Sequence, residues 1–225
     1  MVFYRLSFFF VYVREEKNTK RCKIENLPAP SQVCIPMSQH IGAHCVPCVK
    51  VGDSVLKGQV IGRVESGLGC PVHASISGKV QQIKEINAAN GMKIVNVIIE
   101  NDGCNTLDPS IKPYPKRIQD ITPDEIIEIV KNAGISGMGG ATFPTHVKLN
   151  GQGVDTVIVN AGECEPFITS DDRLCREEPA KVIGGLKIVM KVFGLSEGHI
   201  GIEDNKPEAV KALNACLCKE DGITV

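Results

Sequence analysis

Residues 122–140 read TPDEIIEIVKNAGISGMGG, and this stretch divides the chain into two textures. Its first half is a helix with both ends marked. Thr122 is an N-cap residue, Pro123 fits the first helical position, and Glu125 completes a T-x-x-E capping box. Gly134 is a natural C-terminal stop. Its second half opens a glycine cluster, Gly134, Gly137, Gly139 and Gly140, that runs on through ATFPTHVKLN to Asn150. Glycines gather where a backbone must turn tightly or let something approach closely, and an anion such as phosphate is the usual visitor.

The sequence before the helix has a β texture. From about Ile35 to Asn101, short alternating runs are broken by turn residues. VPCVKVGDSVLKGQVIGRVES (46–66) turns at Gly52–Asp53 and Gly58, and HASISGKVQQI (73–83) is expected to turn at Ser77–Gly78. KIVNVIIEN (93–101) sets Ile94, Asn96 and Ile98 against Val95, Val97 and Ile99. Short strands at this spacing predict a small sandwich or barrel. The pattern V-G-D-x-V-x-x-G-Q at Val51 to Gln59, followed by A-x-x-S-G-x-V at Ala74 to Val80, resembles the lipoyl/biotinyl type of barrel-sandwich domain. A carrier of that type needs a lysine at its hairpin tip. The matching tip, SGLGCPVHAS (66–75), has none, so a structural or docking role is expected instead.

After the glycine loop the grammar becomes α/β. DTVIVNAG (155–162) fits a buried strand and EPAKVIGGLKIVMKVFG (178–194) a helix from Pro179 to Phe193. HIGIED (199–204) reads as a strand, KPEAVKALNACLC (206–218) as a helix with Pro207 in its first turn, and GITV (222–225) as the start of another strand. Strand and helix in alternation predict a parallel sheet. The expected organisation is a lead-in at 1–34, a β domain at 35–101, a proline-rich linker at 102–121 and an α/β domain at 122–225. The last of these is expected to be incomplete, the chain being the front part of a longer protein.

Composition narrows the function classes. Hydrophobic residues make up 43%, charged residues 23%, and the formal net charge is −1. That balance supplies no broad basic face for nucleic acid. Trp is absent and aromatics are 4%, which disfavours base-stacking platforms. The opening MVFYRLSFFFVYVREEK is apolar for only about a dozen residues, too short to span a bilayer. It lacks the basic region and cleavage site of a signal peptide. The ten cysteines are therefore expected as reduced thiols in a cytoplasmic protein. Cys45 and Cys48 form a lone C-x-x-C with no second pair to complete a zinc site and no cubane-cluster run, so no metal is expected.

Three phosphate-binding readings apply to the glycine loop. A nucleotide-hydrolysing loop requires a Gly-Lys step, which GISGMGGATFPT (134–145) lacks. A dinucleotide fingerprint should follow a strand, and here the loop follows a helix. A loop whose backbone amides, with Lys148, hold a phosphomonoester remains, beside a plain glycine turn with a surface lysine. Downstream, VIVNAGECEPFITSDDR (157–173) places Asn160, Glu163 and Glu165 just past a strand's C-terminal end, where α/β sheets put ligands. A solvated acidic loop is the alternative.

Taken together, GMGGATFPTHVKL (137–149), NAGECEPFITSDDR (160–173) and IGIEDNKPEA (200–209) resemble the RnfC family, one of the subunits of the Rnf complex, an ion-translocating ferredoxin:NAD oxidoreductase. IPMSQHIGAHCVPCVKVGD (35–53) and CPVHASISGKV (70–80) resemble the front domain of the same family. More distantly, GGATFPTHVKL (139–149) and NAGECEP (160–166) are similar to the flavin-and-NADH subunit of respiratory complex I. The resemblance implies an α+β two-domain chain: a small all-β barrel-sandwich domain, then a Rossmann-like α/β domain binding FMN and NAD(H). It implies that Gly137, Gly139, Gly140 and Lys148 hold the flavin and its phosphate. Asn160, Glu163 and Glu165 would line the flavin ring and the nicotinamide, Phe143 would pack near NADH, and Glu203, Asp204 and Asn205 would close one wall.

The resemblance also implies hydride transfer between nicotinamide and FMN, with single electrons passed on to [4Fe-4S] clusters expected only in a C-terminal region beyond this chain. No catalytic side chain is nominated. The implied partners are the other subunits of a membrane Rnf-type complex and, indirectly, ferredoxin, at the cytoplasmic face of the membrane and without nucleic acid. Relatives that reduce cobalamin or feed a proline reductase share these front motifs, and a non-catalytic docking module is a further alternative. Two departures stand out. Gly162 occupies a position normally acidic in complex I, and FYRLSFFFVYV (3–13) replaces a glycine- and proline-containing start, as a misplaced start would explain.

Overall fold

The computed structural model describes residues 14, 16–88, 91–138 and 140–225. The apolar opening segment and Gly139 lie outside the described residues. The described chain packs as two compact units. One comprises residues 26–155 with 191–195; the other comprises the lead-in up to Glu25, residues 156–190 and residues 196–225.

The first unit is built on seven strands: β1 (Gln32–Pro36), β2 (Val46–Pro47), β3 (Ser54–Val55), β4 (Val60–Arg63), β5 (Val72–His73), β6 (Gly78–Asn87) and β7 (Lys93–Asn101). They form two antiparallel sheets, one ordered β1-β7-β6-β3 and the other β2-β4-β5. Both sheets feed one apolar cluster that includes Ile35, Val55, Ile61, Val72, Val80, Val97 and Ile99. The alternation read in KIVNVIIEN gives Val97 and Ile99 to this cluster. Asn96 and Ile98, pointing the other way, are buried as well, so the central strand is covered on both faces.

Gly52 and Gly58 take positive φ (96° and 84°), as the expected turns require. Gly78 serves differently from its expected turn. It opens β6 beside the backbone of β7, and a Cβ there would collide with the Glu100 carbonyl oxygen. Close backbone approach, not chain reversal, excludes a side chain at that position.

Residues 102–121 are irregular apart from a 3-10 turn at Ile118–Asp120, and they are tied to the β unit. Lys57 N–H donates to the Thr106 carbonyl at 2.9 Å and Asp108 N–H donates to the Lys57 carbonyl at 2.9 Å. Ile111 covers Gly58, where any Cβ would collide with it. The helix that follows, α1 (Pro123–Asn132), has the full capping box: Glu125 N–H donates to Thr122 Oγ1 at 3.2 Å and Thr122 N–H donates to Glu125 Oε2 at 2.9 Å. It ends at Gly134, φ +69°. The short helix α2 (Thr145–Leu149) packs against α1 and was not anticipated from the sequence.

The second unit contains a parallel sheet ordered β10-β9-β8, from β8 (Ile158–Asn160), β9 (Gly198–Gly201) and β10 (Ile223–Thr224). Helices α3 (Ser170–Glu177) and α4 (Pro179–Phe193) lie between β8 and β9 in sequence, and α5 (Pro207–Ala215) lies between β9 and β10. The span of α4 and the start of α5 match the sequence reading. The burial expected for β8 is corrected: it pairs only with β9 in this sheet, and Ile158 is 63% exposed. Helix α3 falls in a stretch to which the sequence reading assigned no element. Its acidic first turn, Asp171 and Asp172, is the signal that identifies it in retrospect.

All ten cysteines are free thiols; Cys45, Cys70 and Cys175 are buried. Burial pushes their thiol pKa values up, with Cys70 beside Cys45 and with Asp171 and Asp172 beside Cys175 adding to it. Among the described residues no helix is long and apolar enough to cross a membrane.

Candidate functional site

The candidate residues form two groups, one in each compact unit. The first is the glycine loop. After Gly134 the chain folds back on itself. Gly137 N–H donates to the Phe143 carbonyl at 2.9 Å and Thr145 N–H to the Ile135 carbonyl at 3.0 Å, which closes a hairpin-like ring. Pro144 is fully buried at its base. Thr142 takes a positive φ of 50°, which a β-branched residue adopts only at a cost. Strain of that kind gathers at functional sites.

Each glycine has its own reason. Gly134 needs its positive φ, and a Cβ there would lie 2.5 Å from the Pro71 carbonyl oxygen. Gly137 and Gly140 have no such need. Neither has positive φ; a Cβ on Gly140 would meet nothing within 4 Å, and one on Gly137 would meet only the Phe143 carbonyl oxygen at 3.8 Å. The fold itself would accept side chains at both. Their absence leaves bare backbone facing open space, the surface an anion-binding loop presents. Met138 between them is 93% exposed. Lys148 projects from α2, exposed, with its Nζ 5.8 Å from the centroid of the half-buried Phe143 ring. His146 on the same helix is buried, and its Nδ1 has no hydrogen-bond partner among the described residues. Burial, with Lys131 nearby, pushes its pKa down.

The second group lies past the C-terminal end of β8. Asn160 turns back on its own loop, where its Oδ1 accepts the Gly162 N–H at 3.0 Å. Glu163 is buried, at 5% exposure. Its Oε1 accepts the Asp171 N–H at 2.7 Å, serving the first turn of α3, and its N–H donates to Glu203 Oε2 at 3.2 Å. The structure therefore joins Glu163 to Glu203 by a hydrogen bond, while the Asn160 bond stays within its own loop. Glu165, Asp204 and Asn205 are exposed and make no side-chain bond to that core among the described residues.

The residue that organises this loop was missed in the sequence. Lys17, from the polar lead-in, buries its side chain and donates from Nζ to three carbonyls: Glu163 at 2.6 Å, Glu165 at 2.9 Å and Ile168 at 3.0 Å. The same ammonium stands 3.9 Å from Glu163 Oε2, an oxygen that accepts no hydrogen bond among the described residues. Thr19 adds a hydroxyl contact to Thr169 at 2.7 Å. Nothing in EEKNTKRCK marks Lys17 apart from its neighbours, because its partners are backbone carbonyls some 150 positions away.

Among the described residues no group of three or more His, Cys, Asp or Glu is placed to hold a metal ion. Cys45 and Cys48 turn to separate backbone acceptors, the Cys70 carbonyl at 3.2 Å and the Val60 carbonyl at 3.5 Å.

Comparison with known proteins assigns both halves of the sequence. Residues 11–104 match the model of the RnfC barrel sandwich hybrid domain, and residues 130–225 match the Nuo51 FMN-binding domain. The RnfC-type component of the Na(+)-translocating ferredoxin:NAD(+) oxidoreductase complex of Acetobacterium woodii is 50% identical over 199 residues, 87% of this chain and 45% of that protein. Its counterpart in the proton-translocating ferredoxin:NAD(+) oxidoreductase complex of Clostridium ljungdahlii is 40% identical over 88% of this chain and 44% of its own length. The counterpart in the ion-translocating oxidoreductase complex of Rhodobacter capsulatus is 40% identical over 87% of this chain and 38% of its own length. The chain thus spans less than half the length of these curated relatives.

Proposed function

We propose, from the premise that this chain belongs with the RnfC proteins and carries their barrel-sandwich hybrid domain followed by an Nuo51 FMN-binding domain, that it supplies the FMN-binding and NAD(H)-facing part of an ion-translocating ferredoxin:NAD oxidoreductase. On this reading the segments 35–101 and 122–225 are the functional domains. The second is a Rossmann-like unit, and the chain docks peripherally on the membrane-embedded subunits of its complex, at the cytoplasmic face.

The observation that carries the reading is the glycine loop. Gly137 and Gly140 are bare where nothing in the fold requires it, and a lysine stands nearby without an ion-pair partner among the described residues. Backbone amides of such a loop, with the Lys148 ammonium, hold the flavin phosphate; each amide-end contribution is about 0.3–1 kcal/mol in an exposed setting. Phe143 presents an aromatic face toward the dinucleotide. Asn160, Glu163 and Glu165, with Glu203, Asp204 and Asn205, form the polar wall by the flavin ring and nicotinamide. FMN, when bound, supplies the chemistry: it takes a hydride as a pair of electrons and gives electrons up singly. The side chains orient and exclude water, and none of them has to transfer a proton.

Titration of FMN into the purified chain, followed by quenching of flavin fluorescence, tests this. Lys148→Ala is expected to weaken binding about 10- to 100-fold, because a hydrogen bond to a charged group contributes about 1.5–3 kcal/mol. Quenching that is identical in the wild type and the variant, or absent from both, contradicts the assignment.

A further inference from the structure

The sequence holds two closely spaced cysteine pairs, CVPC at 45–48 in the β unit and CLC at 216–218 at the end of α5. They are built differently. In the first, Cys45 is buried and Cys48 is exposed; in the second, both thiols are exposed.

The second pair is held by its backbone on both sides. Cys216 closes α5, and its N–H donates to the Leu213 carbonyl at 3.0 Å. The Leu217 N–H donates to the Asn214 carbonyl at 3.3 Å. Cys218 opens a 3-10 turn at Lys219–Asp221. Its N–H donates to Asp221 Oδ2 at 3.0 Å, and its carbonyl accepts the Asp221 N–H at 3.1 Å. Leu217 is half-buried, so the middle side chain turns inward while the thiols on either side of it look to solvent. Residues two apart have Cα atoms within roughly 7 Å of each other, a span across which two sulfurs can meet.

What the pair can hold is limited by what stands beside it. Asp221 is committed: Oδ1 lies 2.7 Å from Lys187 Nζ, and Oδ2 serves the Cys218 N–H. Among the described residues no third His, Cys, Asp or Glu joins the two thiols in a metal-holding group. A structural zinc or an iron–sulfur cluster needs more protein ligands than that. Calcium and magnesium need oxygen. Two sulfurs alone suit a soft cation that is satisfied by two ligands.

We infer that Cys216 and Cys218 form a two-coordinate site for a thiophilic monovalent cation of the Cu(I) class. The thiolate is the ligand form. The two thiols therefore release their protons to solvent as the sulfur–metal bonds form, and no electron changes hands. The inference does not rest on the flavin assignment, and its test uses no flavin.

Anaerobic titration of the reduced, purified chain with Cu(I), in competition with the chromophoric ligand bicinchoninate, tests the site. The wild type is expected to withdraw Cu(I) from the probe. Cys216→Ser and Cys218→Ser are each expected to weaken that binding about 100-fold or more, because the second sulfur acts at a high effective concentration. Both side chains are exposed, so both variants are expected to unfold at the wild-type temperature, which reports that they fold. Cys48→Ser, the exposed member of the other pair, is expected to leave Cu(I) binding unchanged. Loss in Cys48→Ser with retention in the other two variants overturns the inference. So does unchanged affinity in Cys216→Ser and Cys218→Ser, or no competition with the probe at all. X-ray absorption of the loaded chain counts the ligands: two sulfurs support the site, and a larger set overturns it.

Discussion

The glycine loop and the carboxylate loop are both dense in polar and glycine residues, and they are built in opposite ways. Between Gly134 and Lys148 the backbone closes on itself through two hydrogen bonds and leaves Gly137 and Gly140 bare and Lys148 exposed. Between Asn160 and Ser170 the groups of two residues are already engaged: Asn160 on Gly162, Glu163 on Asp171 and Lys17, and the Glu163 N–H on Glu203. The first loop is receptive and the second is prearranged. Reading the residue types alone would treat them as equals.

The largest expected effect is on the prearranged loop. Lys17→Met removes an ammonium that serves three carbonyls and the buried Glu163 carboxylate. Leaving a buried charge without its partner typically costs about 3–5 kcal/mol, and thermal or urea unfolding of the variant should show a loss of that order. Lys148→Ala, on an exposed side chain, should stay within about 0.5 kcal/mol of the wild type. If the two variants unfold alike, the contrast between the loops collapses.

A smaller effect separates the glycines from one another. Gly134→Ala forces a side chain onto φ +69° and against the Pro71 carbonyl oxygen, and should cost about 1–3 kcal/mol. Gly140→Ala meets open space and should be neutral to stability, within about 0.5 kcal/mol. The same Gly140→Ala should nonetheless weaken FMN, read by fluorescence quenching. A stable variant with undiminished flavin affinity would make Gly140 an ordinary surface glycine.

How much of this was visible in the sequence depends on how local each cause is. The capping box of α1, the proline at the head of α5 and the stop at Gly134 are local, and the structure forms them where the sequence places them. The parallel pairing of β8, β9 and β10 followed from the alternation of strand and helix. The exposure of Ile158 was not visible, because an apolar run reads the same at a sheet's edge as at its centre. Gly78 looked like a turn because Ser-Gly usually is one; only the approach of the Glu100 carbonyl reveals the other reason. Lys17 was invisible for a different cause. Its role depends on burial against backbone carbonyls, and a lysine advertises charge, not burial.

The smallest effect concerns protons in the receptive loop. His146 sits two residues before Lys148, buried, its pKa lowered by burial, by Lys131 and by His40, with Glu128 opposing. Above the ordinary imidazole value of about 6.5 neither folded nor unfolded chain carries the proton, so this residue contributes nothing to pH dependence there. Below it the unfolded chain takes up the proton first, and stability falls with pH until the lowered folded-state pKa is passed. Urea unfolding midpoints at pH 7.5 and pH 5 should therefore diverge more in the wild type than in His146→Gln. His73, also lowered chiefly by burial, supplies a parallel share that the variant leaves in place. The measured quantity is thus the difference between the two proteins' pH responses, not the response of either. If His146→Gln leaves the slope unchanged, the imidazole takes up its proton while folded. The buried end of α2 is then open to water, and the receptive character of this loop extends beneath its surface to the helix that carries Lys148.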